Sequence, residues 1–160
     1  MEMKFLKQFW KTLKGFIPES VGSHPLSKTD ILGRFLTSSS HFSKGTNRVK
    51  HNALMPYANK KSNQLETSIF NIEGLSEKEI KDIASKSVLI NLKKGRSVYG
   101  TGNIKTKDVN TAGLKAEISE PPIRHLNIIG WPEEKSKQKQ IAMELSSKAV
   151  LSLFDNKVVA

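Results

Sequence analysis

The chain has 160 residues and a formal net charge of +11, from 26 Lys+Arg against 15 Asp+Glu. That length suits a single domain with a real core. Cysteine is absent, which excludes a disulfide framework, a thiol nucleophile and a thiolate metal site.

Residues 4–17 have helical periodicity, with Phe5, Leu6, Phe9, Leu13, Phe16 and Ile17 near one face and Lys4, Lys7, Lys11 and Lys14 on much of the rest. Pro18 ends the segment, and GSHPLSKT reads as a linker. The expected organisation is a basic amphipathic helix with its linker over 1–24, and a single α+β domain over 25–160. Such a helix can dock on its own domain, on an acidic partner protein, or peripherally on an anionic membrane surface. It lacks the continuous apolar core of a signal peptide, and no run of about 18 apolar residues occurs elsewhere. A cytoplasmic protein is the expectation.

Ile31, Leu32, Phe35 and Leu36 form an apolar cluster that Asp30 can cap, which predicts a short helix. The polar, basic stretch TSSSHFSKGTNRVKHN that follows reads as a loop. Residues 65–72 read as a strand, with Ser68, Phe70 and Ile72 on one face and Ile69 on the other. Ser76 and Glu79 make a capping box that opens a helix over 76–90. Residues 96–104 look extended although Gly100 and Gly102 weaken a strand there. Residues 107–111 suit a helical turn, and Leu114, Ala116 and Ile118 alternate as a short strand.

The next strand is expected over 123–129, with His125 and Asn127 on one face and Arg124, Leu126 and Ile128 on the other. Gly130-Trp131-Pro132-Glu133-Glu134 then signals a helix start, since proline and acidic residues suit a first turn. Ile141, Ala142, Leu145, Ala149 and Leu153 extend an apolar stripe, which predicts a helix over 132–152. The expected fold is α+β: a small, mostly antiparallel sheet with two main helices packed on one face.

The charge is concentrated. Residues 1–61 hold 11 basic and 3 acidic side chains. No acid occurs between Ile31 and Leu65, nor between Ile83 and Lys107. Two acid-free basic stretches can make a surface that binds polyanions by releasing their counterions. Only four arginines are present, and Arg can bind two phosphate oxygens at once. Arg48, Lys50, Arg96 and Arg124 are therefore the expected polyanion contacts, with Arg34 a further arginine of interest and Tyr99 able to stack on a base. The leading expectation is a small basic protein that binds nucleic acid, RNA above all.

His125 stands in a strand otherwise made of Ile and Leu, beside a helix start, where imidazole can act as acid or base near neutral pH. His41 lies in the basic loop. Two histidines with cationic neighbours suffice for metal-independent phosphodiester or nucleotide chemistry, so His125 and His41 are the candidate catalytic residues, with Glu66, Glu117 or Glu120 as a carboxylate partner. An accessory subunit that docks through residues 4–17 is the third reading. The sequence carries no phosphate-binding loop, no dinucleotide fingerprint, no H-E-x-x-H and no G-x-S-x-G, so neither a cofactor nor a metal is expected. Trp131 reads as an apolar anchor or as the wall of a pocket beside His125.

Overall fold

The computed structural model describes residues 25–160. The expected helix over 4–17 lies outside them. The described chain is mixed α+β, with a seven-stranded antiparallel sheet and helices on both of its faces. Its strands, in chain order, are β1 (Ile31–Phe35), β2 (Phe42–Ser43), β3 (Arg48–Val49), β4 (Tyr57–Asn59), β5 (Gln64–Asn71), β6 (Ser97–Lys105), β7 (Lys115–Ile118), β8 (His125–Ile129) and β9 (Val150–Val159). The α-helices are α1 (Glu77–Ile83), α2 (Thr106–Thr111) and α3 (Lys135–Lys148). The main sheet runs β7-β8-β5-β1-β6-β9, with β4 added on β5, while β2 and β3 form a separate hairpin.

The short helix expected over 31–36 is instead β1, a central strand of the sheet. It pairs with β5 through Leu32↔Asn71 and Gly33↔Phe70, and with β6 from Ile31↔Lys105 to Phe35↔Thr101. A strand with neighbours on both edges and cover on both faces carries apolar residues on both of its sides, so the spacing of Ile31, Leu32, Phe35 and Leu36 resembles that of a buried helix. Leu32 enters one core and Phe35 the other.

The capping box is present: the Ser76 hydroxyl accepts from the Glu79 amide, and the Glu79 carboxylate accepts from the Ser76 amide. The α-helix it opens is shorter than expected. It ends at Ile83 and continues as a π-turn over Ala84–Val88 and a 3-10 turn over Leu89–Asn91. Its residues Ile83, Ala84 and Leu89 pack on Phe35, Phe70, Ile72, Val98 and Phe154. The last helix, through Ala142 and Leu145, packs instead with Leu32, Ile69, Ile104, Leu126 and Ile128. In β1 and β5 the two sets alternate along the strand, so the helices cover opposite faces and not one face as expected.

The expected helix over 132–152 stops at Lys148, and residues 150–159 turn back as β9 against β6. The hairpin of β2 and β3 lies over β6, where Gly102 leaves the room it needs. A Cβ at that position would sit 3.0 Å from both methyl carbons of Val49. The expected strand over 123–129 begins only at His125, because Arg124 has φ of 63° and stands in the left-handed region. Trp131 is 7% exposed and donates from Nε1 to the Ile128 carbonyl, as an anchor of the core below α3.

Candidate functional site

β5 carries the polar groups that gather around His125. The register Phe70↔His125 and Ser68↔Asn127 puts all four side chains on one face. The His125 ring packs on Phe70 with centroids 5.1 Å apart. Its Nε2 lies 2.8 Å from the Ser68 hydroxyl and its Nδ1 lies 2.8 Å from the Ser119 carbonyl oxygen. A carbonyl only accepts, so Nδ1 holds the proton of the neutral ring, and Nε2 accepts from the Ser68 hydroxyl. A hydroxyl that donates into a ring nitrogen, on a ring oriented by a third group, is the arrangement of a nucleophile with its base. Sequence reasoning singled out His125 but not Ser68, whose place two residues before Phe70 identifies it only once the β5–β8 register is known.

Glu66 lies one step along the same face. It is 2% exposed, and its Oε1 accepts from the Tyr57 hydroxyl at 3.1 Å and the Asn59 amide at 2.6 Å. Glu117 is instead exposed and paired with Lys115, and Glu120 accepts from the Arg124 amide at 2.9 Å.

Arg34 ties this region together. β1 leaves β5 after Gly33↔Phe70, and β4 takes up pairing farther along at Tyr57↔Glu66. Between these pairings the Arg34 Nη1 donates to the Ser68 carbonyl at 2.8 Å, and Nε donates to the Ala53 carbonyl at 2.9 Å. Burial pulls the pKa of His41 below the usual histidine range, and the Arg34 charge lowers it further. Burial also lowers His125. The Ser119 bond and the Glu66 and Glu120 charges oppose that shift, and the Arg34 charge adds to it. Both candidate histidines thus lie within the field of one guanidinium.

The expected polyanion contacts separate into two kinds. Arg48, Lys50 and Arg96 are exposed. Arg124 is 6% exposed, and its Nη1 donates at 3.2 Å to the carbonyls of both Asn71 and Glu73, with Glu79, Asp30 and Glu120 as carboxylates in its field. Its guanidinium therefore works inside the fold. Tyr99 packs against Phe42 at 5.6 Å, with the Lys157 ammonium 5.4 Å from its ring centre. Among the described residues no group of three or more His, Asp or Glu is placed to hold a metal ion. No described helix is long and apolar enough to cross a membrane.

A pH dependence follows from the two histidines. Their folded pKa values lie below the unfolded value of about 6.5, so the unfolded chain takes up protons first as pH falls. Their contribution to stability is complete above that value and is lost as pH drops below it. Urea melts at pH 7.5 and pH 5.5 should show lower stability at the acid pH, and His125→Gln should reduce the difference. Equal stabilities in the wild type would contradict the buried, neutral state of both rings.

No family model matches the chain, and neither a curated protein nor a solved structure matches it.

Proposed function

We propose that the protein binds nucleic acid, RNA above all, through cations of the two acid-free stretches. One observation carries the reading. Lys44, Arg48, Lys50, Lys60, Lys61, Lys86, Lys93, Lys94, Arg96, Lys105 and Lys107 are all exposed, and none of them enters an ion pair among the described residues. Lys81, Lys115, Lys137 and Lys148, which do pair with carboxylates, lie outside those stretches. Exposed cations without carboxylate neighbours keep their full field for a polyanion and release its counterions on contact. Arg48 and Arg96 are the strongest phosphate contacts, because their forks can bind two oxygens.

Glutamine at Arg48 and Arg96 together should weaken binding to single-stranded RNA. It should also lower the slope of log affinity against log salt by about 0.7 for each phosphate that is no longer neutralised. Fluorescence anisotropy across a salt series reads both quantities. Absence of any salt-sensitive binding of the wild type to RNA or DNA at low ionic strength would end this reading. An acidic partner protein would then be the expected use of the surface.

The contact between Ser68 and His125 favours a second reading, metal-independent processing of a phosphodiester or nucleotide. His125 would take the proton of an attacking hydroxyl and, as imidazolium, return it to the leaving oxygen. Cleavage of RNA in EDTA, abolished by His125→Gln, is the result this reading requires.

A further inference from the structure

The chain that follows Ser76 covers part of one sheet face, where Ile83, Ala84 and Leu89 pack with Phe35 and Phe70. Across β5 and β8 the same face turns polar, with Ser68, His125 and Asn127 on it. Ser119, just past β7, joins them. All four are half-buried, so this part of the face reaches solvent. The main chain of Ser68 is enclosed. It pairs with Asn127 of β8 along one edge, and its carbonyl holds the Arg34 Nη1. The part of Ser68 left open is its side chain.

The Ser68 hydroxyl and the His125 Nε2 are 2.8 Å apart, and the group that orients the ring is itself fixed. The Ser119 carbonyl takes the Nδ1 proton at 2.8 Å. The Ser119 amide donates to the His125 carbonyl at 2.9 Å, and its hydroxyl accepts from the Asn127 Nδ2 at 3.2 Å. The ring cannot turn its Nε2 lone pair away from Ser68 without breaking the Ser119 bond. Burial holds His125 below the usual histidine range, so it is a neutral base near pH 7. Nucleophile, base and orienting group thus meet at hydrogen-bond distance on an open face. The Arg34 guanidinium lies 2.8 Å from the Ser68 carbonyl oxygen, and positive charge there favours an anionic ester. Glu66 on the same face opposes it with one buried charge, against +11 for the whole chain.

We infer that Ser68 is a covalent nucleophile toward phosphodiesters with His125 as its base, a step that rests on the metal-independent reading above and supplies its attacking hydroxyl. The Ser68 Oγ forms a bond to phosphorus while the bond to the leaving oxygen breaks. The Ser68 proton passes to Nε2, and the imidazolium returns it to the leaving oxygen. Water then attacks phosphorus and gives a proton to Nε2, and the Oγ–P bond breaks as that proton returns to Oγ. No 2′-hydroxyl takes part, so DNA is a substrate as well as RNA.

A fluorophosphonate probe reads the nucleophile without any nucleic acid. The Ser68 Oγ should displace its fluoride, and mass spectrometry should place the adduct on Ser68. His125→Gln should slow labelling by about a hundredfold or more, and Ser68→Ala should remove it. The chain has no cysteine, so Ser68→Cys and Ser147→Cys each introduce a single thiol. Ser147 is exposed on α3 and Ser68 is half-buried. At pH 7 iodoacetamide should nevertheless alkylate Ser68→Cys about tenfold faster than Ser147→Cys, because His125 promotes the thiolate. This second measurement carries the test if His125→Gln fails to fold.

No adduct on Ser68, labelling unchanged in His125→Gln, or slower alkylation of Ser68→Cys than of Ser147→Cys each overturns the inference. Cleavage in EDTA of RNA and of a 2′-deoxy oligonucleotide alike, lost in Ser68→Ala, supports it. Cleavage of RNA alone that survives Ser68→Ala and is lost in His125→Gln keeps the metal-independent reading and overturns the covalent step. An adduct on Ser68 and turnover of bis(p-nitrophenyl) phosphate, without cleavage of either strand, ends that reading for nucleic acid and supports Ser68 as the nucleophile of a smaller phosphodiester.

Discussion

Gly100→Ala should destabilise the protein by about 3 kcal/mol, near the upper end of the cost of forcing atoms into a packed site. Gly100 sits where the pairing of β6 with β9 slips, between Val98↔Val158 and Gly100↔Leu153. A Cβ there would collide with the Ser152 backbone carbonyl and lie 2.7 Å from the Leu153 Cα. These atoms are backbone, so no rotamer change relieves the clash, and one of the two strands must move. The displacement would also disturb the paired bonds Leu36 amide to Gly100 carbonyl and Tyr99 amide to Leu36 carbonyl, both 2.9 Å. Denaturant melts and amide exchange along β6 and β9 measure it. A change within about 0.5 kcal/mol, as at an ordinary surface position, would show that the bulge adapts.

Arg124→Met should cost about 3–5 kcal/mol, the usual result of removing one partner from a buried charged cluster. Asp30 is 6% exposed, and Arg124 supplies positive charge beside it and Glu120. Methionine fills similar space but leaves those carboxylates without their cation and the Asn71 and Glu73 carbonyls without their donor. RNA affinity of the folded fraction should be unaltered. The reverse outcome, little change in stability with a clear loss of affinity, would restore Arg124 as a phosphate contact. Arg48→Gln and Arg96→Gln should behave oppositely to Arg124→Met, with stability within about 0.5 kcal/mol of wild type.

Elements whose signals are local can be read directly from the residues. The capping box of Ser76 and Glu79 sets the start of α1, since both of its bonds form within one helical turn. The alternation through Ser68, Ile69 and Phe70 marks β5, and the same period puts His125 and Asn127 on one face of β8. The acid-free stretches are equally legible, because charge along a chain needs no partner to be counted. The exposed, unpaired state of Arg48, Lys50 and Arg96 agrees with that count.

Other features depend on residues that meet only when the chain is folded. Leu32 and Phe35 fit a helix or a strand until β5 and β6 supply hydrogen bonds on both edges of β1. Leu153 fits the stripe of α3, yet pairing with Gly100 takes it into β9, which supplies partners for the backbone groups on the otherwise open edge of β6. Arg34 and Arg124 cannot be told apart by spacing. One stands beside carboxylates and the other beside a tyrosine and two histidines, because residues far apart in the chain meet at β5. A side chain's charge is written in its type, but whether that charge is compensated depends on which distant strand folds beside it.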